Sequence, residues 1–261
     1  MTPEEMVSRL LYRDGLMLVI DKPAGTAVHR GSPNSKDRNK ASLEDYFDAL
    51  RFGLPRSPAL AHRLDRDTSG CLVLGRHHKA LAQLGKLFRN GAIEKTYWAV
   101  VEGVPDADEG VIEFPLGRLD DRIGWWMKHD PNGQPAVTKW KVLGRSSCTS
   151  PHQGEAKVLS WLSLEPLTGR THQLRVHCAE MGWPILGDAI YGTAPRSGGP
   201  ALQLHAREVV VPLYKNRAPI RSVAPVPDHM RERLTACGWG GEDETILPRE
   251  AGEDLSNILS V

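Results

Sequence analysis

The sequence is compatible with an α+β domain, and two observations fit that class. Short apolar runs rich in strand-forming residues recur between turn residues, at 16–20, 71–74, 95–101, 158–167, 202–206 and 209–211. Only a few separated helices stand among them. The chain shows no internal repeat and no interdomain linker, so we expect one domain. These observations fit an α+β fold without singling it out.

Two helices are predicted in the first hundred residues. Ser42 begins the first, because Ser42 and Asp45 have the spacing of a capping box and apolar residues follow at helical intervals. This helix is expected to be scaffold. The second spans 79–90 with its apolar residues on one face, and Gly91 stands where a helix C-cap is expected.

Length and composition indicate an ordinary globular protein. The chain has 261 residues, of which 40% are apolar and 25% charged. No run approaches the roughly 18 apolar residues needed to cross a bilayer. Residues 1–5 lack the basic and then apolar pattern of a secretory signal. We therefore expect a cytoplasmic protein with no membrane partner.

The net charge of +1 hides an asymmetry along the chain. Residues 241–261 hold six acids and one base, a net charge of −5, which leaves residues 1–240 with +6. A mildly basic body permits a polyanionic partner. We interpret the tail as a solvated appendage, with screening of the body against indiscriminate polyanion binding as the alternative.

The cysteine spacing and the absence of nucleotide-binding motifs argue against a bound cofactor. The four cysteines are widely scattered and form no C-x-x-C pair: Cys71, Cys148, Cys178 and Cys237. A zinc site or a disulfide framework is therefore disfavoured, and buried free thiols are expected. No G-x-G-x-x-G, P-loop or metal-ligand cluster occurs. We expect neither a cofactor nor a metal.

The stretch 62–70 is the densest polar segment. It carries two carboxylates, two guanidiniums, an imidazole and two hydroxyls, and it runs directly into the apolar segment 71–74. Such a segment beside a buried strand indicates a loop held at the rim of a sheet, where binding and chemistry concentrate. A salt-bridged turn explains the composition alone equally well.

A third helix is predicted to start near Thr171, after the last long strand. Leu174, Cys178 and Met181 recur at helical spacing and should face the core. Arg175 lies about 100° around the helix from Leu174, so it can border the core without entering it.

Two long motifs resemble signatures of the RluA-type family of RNA pseudouridine synthases. They read H-R-L-D-x-x-T-S-G at 62–70 and T-G-R-x-H-Q-L-R-x-H at 168–177. Shorter matches are D-K-P-x-G at 21–25, E-K-x-Y-x-A-x-V-x-G at 94–103 and G-x-P-I-x-G-D-x-x-Y-G at 182–192. The last is interpreted as mainly structural, because its glycines suit a tight bend. The resemblance covers roughly residues 12 to 230.

The resemblance implies a fold and a partner. It implies an α+β, pseudouridine-synthase-like catalytic domain at 1–240, with a long mixed, mainly antiparallel sheet flanked by helices and loops and a cleft across its middle. Residues 241–261 would form the acidic C-terminal tail. Some relatives carry an N-terminal S4-type RNA-binding domain, which is not expected here. The implied partner is structured RNA, ribosomal or transfer, with no obligate protein partner.

The resemblance also assigns site residues. It makes Asp65 the catalytic carboxylate, pairs Arg175 with it and gives Tyr97 the active-site aromatic ring. Without the motif, Tyr97 would be interpreted as an ordinary strand aromatic. The substrate-binding positions are His62, Arg63, Lys22, Arg170 and Leu174. Arg63 would fill the gap left by a flipped base, and Lys22 would line the active-site side.

Helix electrostatics point to an anion near two of these residues. Arg170 and Arg175 are placed near the start of a helix, where acids are favoured by some tenths of a kcal/mol. A local rule broken twice indicates a nearby anion. Asp65 and RNA phosphates are both candidates.

The implied reaction needs little apparatus. The bond between ribose C1′ and uracil N1 breaks and the base rejoins through C5, with nothing added or lost. One ionised carboxylate in a water-excluding pocket is required, as nucleophile or as base. A neighbouring guanidinium lowers its pKa by roughly one to three units. Base flipping costs a few kcal/mol, of which stacking on an aromatic ring recovers roughly one to three.

Two other functions are alternatives on the sequence alone. D-x-D-x-S at 65–69 imitates the nucleophile motif of haloacid-dehalogenase-type phosphatases, which use Mg²⁺. However, charge interrupts the strand before it, and Gly192 occupies an acid's position in the later motif. The other alternative is a catalytically inactive RNA-binding module. The intact set of Asp65, Tyr97 and Arg175 argues against it.

Overall fold

A computed structural model describes residues 1–30, 41–119, 126–149 and 156–241, without the side chains of 147–149 and 156–157. The predicted acidic tail lies outside the described residues except for Gly241. No helix in the described ranges is long and apolar enough to span a membrane.

Twelve strands and five helices make up the described part of the chain. The first half contains α1 (Pro3–Ser8), β1 (Leu10–Arg13), β2 (Met17–Lys22), a 3₁₀ helix (Leu43–Leu50), β3 (Ala59–Leu60), β4 (Ser69–Gly75), α2 (His78–Arg89), β5 (Glu94–Glu102) and β6 (Glu109–Ile112). The second half contains β7 (Leu116–Arg118), β8 (Met127–His129), β9 (Thr138–Thr149), β10 (Ala156–Pro166), α3 (Gln173–Glu180), β11 (Leu204–Val211), β12 (Ile220–Val223) and α4 (Asp228–Ala236).

Ten of the strands form one sheet. Its order is β1-β2-β4-β11-β5-β10-β9-β6, with β3 beside β4 and β12 beside β11, while β7 and β8 form a separate hairpin. Every pairing is antiparallel except that of β4 with β11. The predicted α+β class with a mixed, mainly antiparallel sheet is confirmed.

The first half of the sheet is buried on both faces, which explains its uninterrupted apolar runs. In β2, Leu18 and Ile20 pack in a cluster with the 3₁₀ helix and α1. Met17 and Val19 pack on the opposite face, against the side that α2 covers. Strands buried on both faces read as continuous apolar sequence instead of alternating. Full burial of each such side chain contributes about 1.5–3 kcal/mol.

The predicted helix ends agree with the structure. The Ser42 N–H donates to the Asp45 carboxylate over 2.8 Å at the start of the 3₁₀ helix. After α2, Gly91 has φ +65°, the left-handed conformation that favours glycine at a helix C-terminus.

The prediction of two separate strands at 202–206 and 209–211 is wrong in detail. They are one strand, β11, which lies inside the sheet between β4 and β5 and does not close it. Its register shifts between Ala206 and Glu208. Arg207 at this irregularity is buried; it packs over the Trp98 ring and donates to the Ala224 carbonyl. A charged residue that resembles a strand end is therefore accommodated within the strand.

The parallel contact of β4 with β11 brings the two halves of the sheet together. It consists of two residue pairs, Ser69 with His205 and Gly70 with Ala206. Gly70 has φ +104°, and a Cβ there would overlap the backbone of Ala206. Ser69 Oγ is 2.9 Å from His205 Nδ1. The polar loop 61–68 is thereby fixed over the middle of the sheet.

Helix α3 departs from the prediction in two respects. Leu174 and Cys178 face the core as expected, but Met181 is 38% exposed because the helix ends at Glu180. Arg175 was expected at the border of the core, but the structure buries it, with only 6% of the residue exposed.

Three of the four cysteines are buried free thiols, as expected: Cys71, Cys178 and Cys237. The Cys148 side chain lies outside the described residues.

Candidate active site

A cleft of about 530 Å³ lies where loop 61–68 meets the start of α3. It holds seven of the eight predicted site residues: His62, Arg63, Asp65, Tyr97, Arg170, Leu174 and Arg175. Lys22 does not line it. Segments more than a hundred residues apart in sequence therefore form one pocket, of the size usual for small-ligand sites.

Lys22 anchors the polar loop 61–68 through hydrogen bonds to its backbone. It is completely buried, and its ammonium donates 2.8 Å hydrogen bonds to the carbonyls of Pro23, Arg66 and Thr68. Burial lowers the pKa of Lys22 to about 7, against the opposing charges of Asp67 and Asp65. The expectation that Lys22 lines the active-site side is corrected, because its three donors are directed at backbone carbonyls.

Asp65 is the acid presented to the cleft. Its side chain is 22% exposed, and its Oδ2 lies 3.6 Å from Arg175 Nη1 and 3.8 Å from His172 Nε2. The Asp65 carbonyl accepts from the Thr68 N–H over 3.2 Å, which folds the loop into a turn. Arg175 therefore places a positive charge beside the Asp65 carboxylate.

Asp188, which the sequence reasoning did not assign to the site, fixes that guanidinium. Arg175 donates to it through Nε over 2.7 Å and through Nη2 over 2.8 Å. The same carboxylate accepts from the N–H groups of Ile190 and Tyr191. Burial raises the pKa of Asp188, but these hydrogen bonds and the charge of Arg175 outweigh it and hold the pKa below its usual value.

The anion that the helix electrostatics required is thus mainly Asp188. Asp65 is a second and longer contact of Arg175. Arg170 lies before the helix and donates from Nε to the Pro135 carbonyl over 3.0 Å. The interpretation of 182–192 as mainly structural therefore missed a residue that orients the site.

Gln173 connects the turn before α3 to the sheet. Its Oε1 accepts from Thr168 Oγ1 and from the Arg170 N–H, and its Nε2 donates to the Val137 carbonyl and to Thr138 Oγ1. This buried amide is fully used, so it fixes the turn that carries Arg170.

His172 is a second residue that the sequence reasoning missed. It has φ +53°, a left-handed conformation that costs a non-glycine residue about 1–2 kcal/mol. Its Nδ1 is 2.8 Å from the Tyr191 hydroxyl, while Nε2 is directed towards Asp65. Burial lowers the pKa of His172, partly opposed by Asp65. Strained residues of this kind concentrate at functional sites.

Tyr97 provides an aromatic wall of the cleft. It lies on β5, paired with Ala206 and Leu164, and packs against the core clusters of both halves of the sheet. Burial, with a further contribution from Asp65, raises the pKa of its hydroxyl. It therefore stays a neutral phenol, suited to stacking on a planar ring.

His62 and Arg63 differ in their surroundings although they are adjacent. His62 stacks on Phe88, with the ring centroids 4.5 Å apart, and its Nε2 accepts from the Val73 N–H over 3.0 Å. Burial lowers the pKa of His62 to about 3, so the imidazole is neutral. Arg63 is exposed at the cleft.

Comparison with known proteins agrees with this geometry. A model of the family described as RNA pseudouridylate synthase matches residues 16–180. An uncharacterised RNA pseudouridine synthase of Zymomonas mobilis is 40% identical over 227 residues, covering 85% of this chain and 95% of the relative. Ribosomal large subunit pseudouridine synthase C of Vibrio cholerae is 34% identical over 241 residues, covering 88% of this chain and 70% of the relative.

A solved structure agrees with the fold. The protein called human RNA pseudouridylate synthase domain containing 4 superposes with a TM-score of 0.70 at 27% identity, covering 90% of this chain and 95% of that one. The sheet, the cleft and the sequence relatives lead to one assignment. The chain belongs to the RluA-type family of RNA pseudouridine synthases.

Proposed function

We propose that this synthase isomerises a specific uridine in structured ribosomal or transfer RNA, with Asp65 as the catalytic carboxylate and the target base flipped into the cleft. The observation that carries the proposal is the Asp65 carboxylate 3.6 Å from Arg175, in a cleft walled by Tyr97. The C1′–N1 bond breaks, the C1′–C5 bond forms, C5 loses a proton and N1 gains one. Because nothing is added or lost, the reaction calls for no cofactor.

The carboxylate has the environment that this role needs. Asp65 acts at the sugar, as nucleophile at C1′ or as base, and either role needs the ionised form. Arg175 supplies a positive charge, and its exposure of 6% limits competition from water. Asp188 keeps the guanidinium in place before RNA arrives.

The walls of the cleft suit a flipped pyrimidine. Tyr97 offers a stacking face, and Leu174 and Leu204 add apolar surface. His62 and Arg170 lie along the edges, and Arg63 occupies the space from which the base leaves. Lys22 contributes indirectly, by holding the loop that carries Asp65. Stacking recovers roughly 1–3 kcal/mol of the cost of flipping.

The surroundings favour a polynucleotide over a free nucleoside. A second cavity of about 610 Å³ adjoins the cleft and shares Gly169, Arg170 and Thr171 with it. The cleft is also bordered by Arg63, Arg89 and Lys95. Continuous space with basic groups suits an RNA strand on either side of the flipped nucleotide.

The name of the Vibrio cholerae relative supports large-subunit ribosomal RNA as the first substrate to test. Transfer RNA is the second. Mapping pseudouridines in RNA from cells that lack this protein identifies the site, because the target uridine then remains unmodified.

Asp65→Ala tests the catalytic assignment. The substrate is RNA from cells that lack this protein, carrying tritium at uridine C5. This RNA releases tritium when pseudouridine forms. We expect the variant to lose this release by about 10⁴-fold or more. Its affinity for the same RNA, measured by filter binding, should stay within about threefold, because Asp65 carries no attraction for phosphates.

Asp67→Ala is the matched control, since Asp67 lies in the same loop but is exposed and does not line the cleft. It should retain activity. Equal loss of RNA binding and product formation in Asp65→Ala would instead favour a binding module. Magnesium-dependent phosphate release that needs both acids would favour the phosphatase.

A further inference from the structure

His172 connects the Asp65 carboxylate to Tyr191. Its Nδ1 is 2.8 Å from the Tyr191 hydroxyl, and its Nε2 is 3.8 Å from Asp65 Oδ2. The Tyr191 hydroxyl also accepts from the Met127 N–H over 2.9 Å. The imidazole therefore stands between the acid in the cleft and a tyrosine fixed by the backbone of β8.

These contacts favour one tautomer of His172. A phenol has one proton to donate, and the Tyr191 oxygen already accepts from Met127. With its proton directed at Nδ1 of His172, the imidazole hydrogen is left on Nε2, facing Asp65.

The charges around His172 keep it in this neutral form. Burial lowers its pKa; Asp65 and Asp188 raise it, and Arg175 and Arg63 lower it, with burial the largest cause. The net pKa lies below the usual value. At neutral pH the ring therefore offers Asp65 an N–H without adding a charge to the cleft.

The backbone at this position does not favour histidine over other residues. At φ +53°, asparagine is tolerated at least as well. Helix capping does not explain it either, because the His172 side chain makes no capping hydrogen bond to α3. What His172 supplies is a donor directed at Asp65.

Arg175 and His172 both approach the same oxygen of Asp65. Arg175 Nη1 and His172 Nε2 approach Oδ2 at 3.6 and 3.8 Å. Catalytic contacts are often this long without substrate and tighten in the complex.

We propose that His172 is a positioning residue: its Nε2–H, oriented by Tyr191, holds Asp65 Oδ2 together with Arg175, so that Oδ1 is presented to the ribose. The proposal rests on the proposed function, in which Asp65 is the catalytic carboxylate. It assigns Tyr191 the role of fixing the tautomer.

Two substitutions at His172 separate positioning from a structural role. His172→Gln places an amide N–H near the position of Nε2, whereas His172→Asn is too short to reach Asp65. We expect kcat to fall about 10- to 100-fold in His172→Asn and at most a few-fold in His172→Gln. The order of thermal stability should be the reverse, because asparagine suits the left-handed backbone better. RNA affinity should be unchanged in both.

Tyr191→Phe provides a second measurement that leaves the backbone at 172 intact. It should lower kcat several-fold in the wild-type background and have no further effect in His172→Asn, where the connection to Asp65 is already broken. The control is His78, an exposed histidine at the start of α2. The kcat of His78→Gln should stay within about twofold of wild type.

Either of two results would overturn the proposal. One is activity that follows stability, with His172→Gln below His172→Asn. The other is a Tyr191→Phe variant with unchanged kcat. Asp65→Ala, assayed in parallel, separates the two levels: its activity would reject the proposed function whatever His172 does, while its inactivity leaves the His172 result to decide the positioning role.

Discussion

Replacing Asp188 by asparagine removes one charge from an ion pair that is almost completely buried. The Arg175 and Asp188 side chains are 7% and 1% exposed, and two hydrogen bonds of 2.7 and 2.8 Å join them. Asparagine has nearly the same shape, so the change tests charge rather than packing. It leaves the guanidinium buried without its main partner.

The expected loss of stability follows from that burial. Removing one partner of a buried ion pair costs about 3–5 kcal/mol. Asparagine still offers an oxygen to the N–H groups of Ile190 and Tyr191, which places the loss near the lower end, at about 3 kcal/mol. For a chain of this size, the melting temperature should fall by roughly 6–12 °C.

A surface pair of the same geometry provides the control. Arg221 and Glu208 also form two hydrogen bonds, of 2.9 and 2.6 Å, but their side chains are 60% and 21% exposed. Glu208→Gln should cost less than about 1 kcal/mol.

Urea denaturation of both variants measures the difference. Equal losses in Asp188→Asn and Glu208→Gln would refute the argument that burial makes the Asp188 pair important. The kcat of Asp188→Asn should also fall, because Arg175 is no longer held towards Asp65.

Two further changes test the sheet and the polar loop. Gly70→Ala should destabilise the protein by about 3 kcal/mol or more, because φ +104° and the Ala206 backbone exclude a Cβ. Gly240→Ala, with open space around it, should be nearly neutral in the same thermal scan. A mild effect at Gly70 would contradict the close approach of β4 and β11. His62 has a pKa of about 3 in the folded protein against 6.5 as a model value, so the unfolded chain binds the extra proton and stability falls as pH drops below 6.5, by up to about 1.4 kcal/mol per pH unit. His62→Gln keeps an acceptor for the Val73 N–H, and its melting temperature should therefore change less between pH 7 and pH 5. Identical slopes would exclude a neutral imidazole in the folded protein.

Local sequence was a good guide wherever local physics decides the structure. The runs that became β2 and β4 are buried on both faces, and continuous apolar sequence is the direct consequence. Gly91 ended α2 as expected. The two long motifs contain most of the residues that line the cleft, and a shorter one contains Tyr97. The strand order, in contrast, depends on long-range pairing that no local pattern encodes.

The errors share a physical cause, since each depends on tertiary contacts. Arg207 resembles a strand end in the sequence, but its guanidinium lies over the Trp98 ring and donates to the Ala224 carbonyl. Asp188 resembled part of a glycine-rich turn because its partner, Arg175, lies on α3. Lys22 resembled a ligand for substrate, but its ammonium is used by three carbonyls of the fold.

The narrow parallel contact between β4 and β11 has a consequence for how activity arises during folding. The acid comes from the loop that precedes β4, and its guanidinium comes from α3, on the other side of that junction. A chain in which only one half has become native holds either partner alone and lacks a complete cleft. The appearance of pseudouridine during refolding should therefore mark the moment when the two halves dock, and not the earlier growth of secondary structure in either one.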